Sequence, residues 1–381
     1  MTVYPAWTAP ASEADTLDWL RLARSQNIGP ATFWELLSRY HSAAAALEAL
    51  PAIAQRAGRT ASLRVASQAD ADREIEKIHA FGAKLVPFGT ADYPPLLRQI
   101  DAPPPLLTVL GTGATAGPRT VAIVGARNAS AAGRKMASLL AADLGRFAVT
   151  VASGLARGVD TAAHAASLTS GAVAVTAGGI DIIYPRENAA LHAQIAAAGA
   201  IITEMPFGAE PIARSFPRRN RLISGISAGV IVIEAAKRSG SLITARFALE
   251  QGREVFAVPG SPLDPRAQGT NSLIRNGATL VQSAEDVLET LDSQFCETLS
   301  TAPFTPAPQP GSADRTAPRA AGDPSPKTAR IIRELLSPSP VGLDDLARLS
   351  QLPISAVSAI VLELEIAGHA VRHPGGRVSA A

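Results

Sequence analysis

Residues 215–260 read SFPRRNRLISGISAGVIVIEAAKRSGSLITARFALEQGREVFAVPG, and the order of features within them decides the fold. A tight basic cluster comes first, Arg218, Arg219 and Arg221 around Asn220. A short helical piece is expected after it, then an apolar strand from Gly229 to Glu234. The strand empties into Lys237-Arg238-Ser239-Gly240-Ser241, where a new helix begins. A strand that ends on Ser-Gly-Ser at a helix start presents unpaired backbone N–H groups and a positive dipole end, which suits a phosphate. The flanking cations strengthen the anion reading.

Outward from this stretch, the same strand–loop–helix unit repeats from residue 119. Short β-branched runs stand at 121–125, 149–153, 172–177, 200–204, 230–235, 254–258 and 278–281, with helical stretches such as AGRKMASLLAADLGRF and DTAAHAASLTS between them. Apolar strands joined by crossover helices imply a parallel sheet covered on both faces. The fold class is α/β, with a Rossmann-like, mostly parallel sheet assigned to residues 81–298. Two further short strands, separated by the turn-rich TADYPPLLRQIDAPPP, are expected within 83–110.

Residues 1–80 read as a small helical domain. Leu17, Leu20, Leu22 and Ala23 mark one helix, Asn27-Ile28-Gly29-Pro30 a break, ATFWELLSRY a second helix, and 69–82 a further amphipathic one. Helix, Gly-containing turn and helix also describe a helix-hairpin-helix, which holds DNA backbone through turn amides. A single copy with few turn cations favours a plain bundle. Residues 299–326 are proline-rich and poor in large apolar side chains, so a disordered linker is expected. The tail, 327–381, shows helices at 327–336, 343–350 and 354–367 and a two-stranded wing turning at Gly375-Gly376, the pattern of a winged helix. Its would-be recognition helix, ISAVSAIVLELEI, contains two Glu and no Lys or Arg. A duplex reader brings donors and cations to the groove, so protein contact or regulation is the expected role.

The 381-residue chain is 47% hydrophobic and carries 35 basic against 33 acidic side chains. Net charge therefore points to no partner, and any basic surface must come from local clustering. The single Cys296 excludes a disulfide framework and a cysteine-rich metal site, and suits a reducing compartment. The first residues lack the basic and apolar regions of a signal peptide, and no apolar run approaches the ~18 residues of a membrane span. A cytoplasmic protein without a membrane partner is expected.

In an open parallel sheet, ligands bind beyond the carboxyl ends of the strands. Those ends carry Gly125-Ala126-Arg127, Gly154 to Gly158 with Arg157, Gly178-Gly179-Ile180-Asp181 followed by Tyr184-Pro185-Arg186, Pro206-Phe207-Gly208 leading to the arginine cluster, and Lys237 to Ser241. One such loop is an ordinary tight turn with a solvated cation. Several on one sheet edge make a positively charged groove lined by backbone. There is no G-x-x-x-x-G-K-[ST], no G-x-G-x-x-G, no H-E-x-x-H and no nucleophile elbow, since the G-x-S-x-G at 225–229 leads into a strand instead of out of one, so no catalytic residue, metal or cofactor is assigned. Asp160 and His164, four apart, could form a proton-transfer dyad, but Asp160 in a first turn suits the helix dipole and His164 local packing. Asp181 and Glu204 are expected to fix loop cations. Of the aromatics near the groove, Tyr184, Phe207 and Phe216, the last lies beside the arginines, where it suits base stacking or anchors its loop.

The segments VAIVGARNASAAG (121–133), SGLARGVDTAAH (153–164), AGGIDIIYPREN (177–188), SFPRRNRLISGIS (215–227), VIVIEAAKRSGSLITARFALEQGREVFAVPG (230–260) and GTNSLIRNGATLV (269–281) closely resemble the DNA-processing protein A family, DprA or Smf. The N-terminal helices resemble, less specifically, the sterile-alpha-motif-like (SAM-like) domain of many members, and many also carry a winged C-terminus. The resemblance implies a non-catalytic role: binding single-stranded DNA during natural transformation, protecting it, and helping to load the RecA recombinase despite single-strand-binding protein. It also implies a homodimer through the Rossmann-like domain and no nucleotide cofactor. The family's G-S-R turn corresponds to Gly125-Ala126-Arg127, where alanine replaces a hydroxyl donor. The family's lysine before Ser-Gly-Ser corresponds to Lys237, with Ser239 and Gly240. Arg157, Asn220 and Arg221 fall in family motifs at the same pocket edge. With Phe216 and Arg218 these form the expected DNA-binding set. The competing reading is an enzyme on the same fold, a nucleotide-phosphate hydrolase resembling the LOG/lysine-decarboxylase-like phosphoribohydrolases. That family's P-G-G-x-G-T-x-x-E motif is absent: Pro259-Gly260 is followed by Ser-Pro.

Overall fold

The computed structural model describes residues 8–58, 63–111, 116–300, 326–373 and 375–381. They fall into two compact units, one centred on Asp72–Thr301 and one joining Pro10–Ala71 with Ala302–Ala381. The linker expected at 299–326 lies almost wholly outside the described residues.

The N-terminal segment forms α1 (Glu13–Arg24), α2 (Pro30–Tyr40) and α3 (Ala43–Arg56). Ser12 and Ser42 cap α1 and α3 by accepting from the amides of Asp15 and Ala45, each at 3.1 Å. Pro30 occupies the first turn of α2, as its fixed φ favours. Trp19, Phe33 and Trp34 meet edge-on, with centroids 5.2 to 5.6 Å apart, and centre the small core. The chain then enters α4 (Gln68–Ala80).

In the larger unit β1 (Ala83–Pro87) and β2 (Leu106–Leu110) form an antiparallel pair. Next come β3 (Thr120–Val124), α5 (Ala131–Arg146), β4 (Thr150–Ser153), α6 (Val159–Ser167), β5 (Ala172–Val175), α7 (Ala189–Ala198) and β6 (Ala200–Thr203). The second half is α8 (Ser215–Gly225), β7 (Gly229–Val232), α9 (Gly240–Glu250), β8 (Glu254–Ala257), α10 (Gln268–Arg275), β9 (Thr279–Leu280) and α11 (Ala284–Ser300). The strand order is β1-β2-β6-β5-β4-β3-β7-β8-β9, parallel from β6 to β9. Alternate strand residues serve opposite faces. Ala122, Val124, Val230 and Val232 pack with Leu222, Ile223 and Ala245 of α8 and α9. Val121, Ile123 and Ile231 pack with Leu140 and Leu144 of α5 and Val159 of α6. The mostly parallel, doubly covered sheet expected from the pattern is present, and β1–β2 extend its edge in the antiparallel sense.

One boundary in this unit differs from expectation. The arginine cluster does not precede a helix but lies within α8, which starts at Ser215 with Pro217 tolerated in its first turn. Successive helical residues point about 100° apart, so neighbours in sequence disperse in space.

The tail forms α12 (Pro326–Leu335), β10 (Val341–Gly342), α13 (Leu343–Ser350), α14 (Ile354–Ala367), β11 (Ala370–His373) and β12 (Arg377–Ala380). The expected wing is completed by β10, which pairs with β12 in a three-stranded antiparallel sheet. Gly368, at φ +80°, ends α14 in the left-handed conformation that glycine adopts without strain. Val357, Ile360, Val361 and Leu364 of α14 meet Ile332, Leu346 and Val378 in the core of this module. The other side of α14 packs on α3 and α2, so both ends of the chain share one unit. Among the described residues no single helix is long and apolar enough to cross a membrane.

Candidate functional site

The strand order reverses at β3, between β4 and β7. At such a switch point a Rossmann-like sheet offers its first helix N-terminus to a phosphate. Here that position is filled from within. Ser130 caps α5 by accepting from Gly133 N at 2.9 Å. Glu234, just past β7, accepts the Ser130 amide at 2.9 Å on one oxygen and the Ser130 hydroxyl on the other. A Cβ on Gly133 would meet this carboxylate at 2.5 Å. The internal anion takes the place of an external one, and open space lies beyond β3, β4 and β5 instead.

That space is a cleft of ≈ 460 Å³, mouth included, walled by Arg127, Arg157, Tyr184 and Phe216 and floored by Gly154, residues 176–178 and the buried Arg219. Arg127, after β3, holds its guanidinium carbon 5.0 Å from the Phe216 ring centre. Tyr184 lies 5.6 Å from the same ring, tilted by 57°, and is half exposed. Phe216 and Arg219 are three apart on α8 and therefore share a face. Arg157 is exposed at the rim, 3.7 Å from an equally exposed Glu187, a pairing of little energetic weight.

Arg219 is almost fully buried. It donates to the carbonyls of Gly154 and Val175, the latter at 2.7 Å, and to Asn220 Oδ1 at 3.2 Å. Burial lowers its pKa to about 10; Asp160 opposes the shift and Arg127 adds to it, and the group stays charged at neutral pH. The guanidinium lies so close to Gly154 that any Cβ there would overlap it. Asp160 accepts from the amides of Gly154 at 3.1 Å and Ala156 at 3.3 Å. Burial raises its pKa, against the pull of Arg219. His164 is fully buried, and burial lowers its pKa to about 4. Neither residue walls the cleft, so the pair is structural, as the sequence favoured.

The expected DNA-binding residues divide. Arg127, Arg157 and Phe216 reach the cleft. Gly125 follows β3 directly, where a Cβ would meet Val159 at 2.6 Å. Arg218, Asn220, Arg221, Lys237, Ser239 and Gly240 are not among its walls. Arg221 pairs with Glu204 and donates to Ala102 O at 3.1 Å, while Arg218 lies 4.0 Å from Glu204 and is half exposed. Asn220 ties α8 to Gly240 O at 3.3 Å, and Ser239 caps α9 through the Ser241 amide. Lys237 is exposed in the turn ahead of α9. Glu204 thus fixes cations, as expected, but Asp181 accepts the Gly208 amide at 2.7 Å instead of a cation. Phe207 packs edge-on against Phe81 at 5.9 Å and is absent from the cleft. Arg219, named in the basic cluster, and Tyr184 were left out of the expected DNA-binding set, although the i, i+3 spacing of Arg219 from Phe216 was a usable signal.

The family model for DNA recombination-mediator protein A matches residues 84–292. The chain belongs to the DNA recombination-mediator protein A (DprA) family. A DprA-like N-terminal HHH domain matches 13–76 and a DprA winged helix domain 315–376. The N-terminal match favours the helix-hairpin-helix reading of that segment over the plain bundle expected from the sequence. Protein Smf of Escherichia coli (strain K12) is 40% identical over 298 residues, covering 77% of this chain and 76% of its own. The X-ray structure of DprA from Streptococcus pneumoniae superposes with a TM-score of 0.57 at 33% identity, over 71% of this chain and 95% of its own. DprA from Helicobacter pylori, whose structure describes a single-stranded DNA binding mode, gives 0.50 at 28% identity, over 56% and 96%.

Proposed function

We propose that this chain is a single-stranded DNA-binding protein of natural transformation, which protects incoming strands and promotes loading of the RecA recombinase without catalysing a reaction. The observation that carries this reading is the Arg127–Phe216–Tyr184 arrangement at one mouth. Unpaired bases expose π-faces that aromatic rings can take, while arginines meet the phosphates on either side. A duplex hides those faces. Arg219 adds a fixed positive charge beneath the cleft, and the exposed Arg218 and Lys237 would extend the cationic path along the strand ends. The binding mode of the Helicobacter pylori relative and the recombination-mediator family support the same reading.

The described lining of the cleft includes no carboxylate, histidine, cysteine or lysine, which favours holding a strand over cutting it. A hydrolase would need a catalytic glutamate: Glu204 is engaged with Arg221 and Glu234 at α5, and Glu187, beside Arg157 at the rim, is not part of the described lining. Assembly as a homodimer through the Rossmann-like domain, and a cytoplasmic location, belong to the same proposal; sedimentation of the purified chain as a monomer at micromolar concentration would remove the dimer.

Protection and loading are tested together. A single-stranded oligonucleotide is challenged with nuclease, and RecA ATPase is followed on strands already coated with single-strand-binding protein. The expected results are a protected strand, uncut by this protein alone, and faster onset of ATPase. Binding without any change in ATPase would remove the mediator role. Release of ribose 5-phosphate from a nucleoside monophosphate would revive the hydrolase.

A further inference from the structure

A winged helix reaches a duplex through its recognition helix and its wing. In this chain most of the recognition helix, and Arg372 of the wing, are spent on another contact. Every residue from Ile360 to Ala367 in α14 is buried. The module's own core accounts for one side, Val357, Ile360, Val361 and Leu364. Leu362, Glu363, Glu365 and Ile366 lie off that side and are buried all the same. A helix buried all round has a second packing partner, and here it is α3 with the flank of α2.

We propose that the winged helix is a docking module for the chain's own N-terminal helices, keyed by Arg372 of the wing. Arg372 Nη2 stands 2.8 Å from Glu35 of α2 and 3.1 Å from Glu365 of α14, so one guanidinium bridges two carboxylates. Glu365 is 7% and Arg372 18% exposed, which leaves little water to replace a lost partner. A second pair, Arg56 of α3 with Glu363, closes at 3.2 Å. Asn27, in the turn between α1 and α2, donates to Ile366 O at 3.1 Å. The two Glu that make α14 a poor match for DNA thus have basic partners within the chain.

The exposed start of α14 offers Ile354 and Ser355 but no cation, and the wing's Arg372 is already paired. Docking therefore accounts for a recognition helix of this composition, whereas duplex reading does not. This docking is independent of the cleft, and its test uses no single-stranded DNA.

The test uses the full chain with a protease site placed between residues 310 and 311. After cleavage, the C-terminal fragment should co-elute with the remainder on gel filtration at moderate salt. Arg372→Glu sets three carboxylates against one another, and should weaken retention by at least about tenfold. Adding Glu35→Arg to that variant reverses the charges and should restore co-elution, which a merely misfolded fragment cannot do. A wild-type fragment that elutes alone, an Arg372→Glu fragment retained as tightly as wild type, or a double variant that fails to recover would each overturn the proposal. Transfer of the wild-type fragment onto added duplex DNA would also overturn it, because α14 would then be a reader.

Discussion

The guanidinium of Arg127 stacks over the ring of Phe216, 5.0 Å from its centre, and so joins the end of β3 to the first turn of α8 across the cleft. Both side chains are presented to whatever enters: one carries the charge, the other the flat apolar surface. Removing the ring should therefore hurt binding without removing a charge. Phe216→Ala is expected to weaken single-stranded DNA affinity by roughly 1–3 kcal/mol, the range for loss of one base stack. Fluorescence anisotropy with a labelled oligothymidine reads the change, and an unchanged melting temperature would show that the fold persists.

Charge removal should leave a different signature. Arg127→Ala is expected to lower affinity and to reduce the slope of log affinity against log salt by about 0.7, the share of one single-strand phosphate contact. Lys237 lies outside the cleft walls, so Lys237→Ala should cost less affinity than Arg127→Ala at moderate salt. Equal losses would move the centre of the site towards α9.

Arg219 links function to stability. Its hydrogen bonds to the Gly154 and Val175 carbonyls hold the ends of β4 and β5 around the cleft. Arg219→Ala leaves those acceptors and Asp160 without their buried cation, and is expected to destabilise the fold by about 3–5 kcal/mol. Gly154→Ala should act through the same contact, because its Cβ would overlap the guanidinium. Chemical denaturation of both variants tests this; wild-type midpoints would show that the buried arginine is dispensable.

Most of the fold was legible because parallel βα repeats write their strands as short apolar runs and their turns as glycine. The wing and its three helices were legible for similar reasons. The site was only partly so. The arginine cluster looked like one wall because its members adjoin in sequence, but a helix sends them apart: Arg219 under the cleft, Arg218 and Arg221 towards Glu204. The closure of the α5 anion position by Glu234 was invisible for another reason, since it depends on β7 lying beside β3, a pairing between distant segments.

Proton linkage gives a test of the buried pair. The folded pKa of His164, about 4, lies below its ordinary 6.5. Between those values the unfolded chain binds a proton that the folded chain does not. The stability from neutral His164 is therefore full above about 6.5 and is lost as pH falls towards about 4, at up to ~1.4 kcal/mol per pH unit. Asp160, with a raised pKa, works in the opposite direction as pH falls. Comparing His164→Gln with the wild type isolates the histidine: the variant's stability should decline less from pH 7 to pH 4. Parallel curves would show that His164 does not titrate with folding.

The most direct measurement compares affinities for single- and double-stranded oligonucleotides of equal length across a salt series, for the wild type and Phe216→Ala. The expected result is a marked preference for single strands that persists as salt rises, and that falls when the ring is removed. Equal affinity for both forms, declining together with salt and indifferent to Phe216, would contradict a cleft built to hold an unpaired strand.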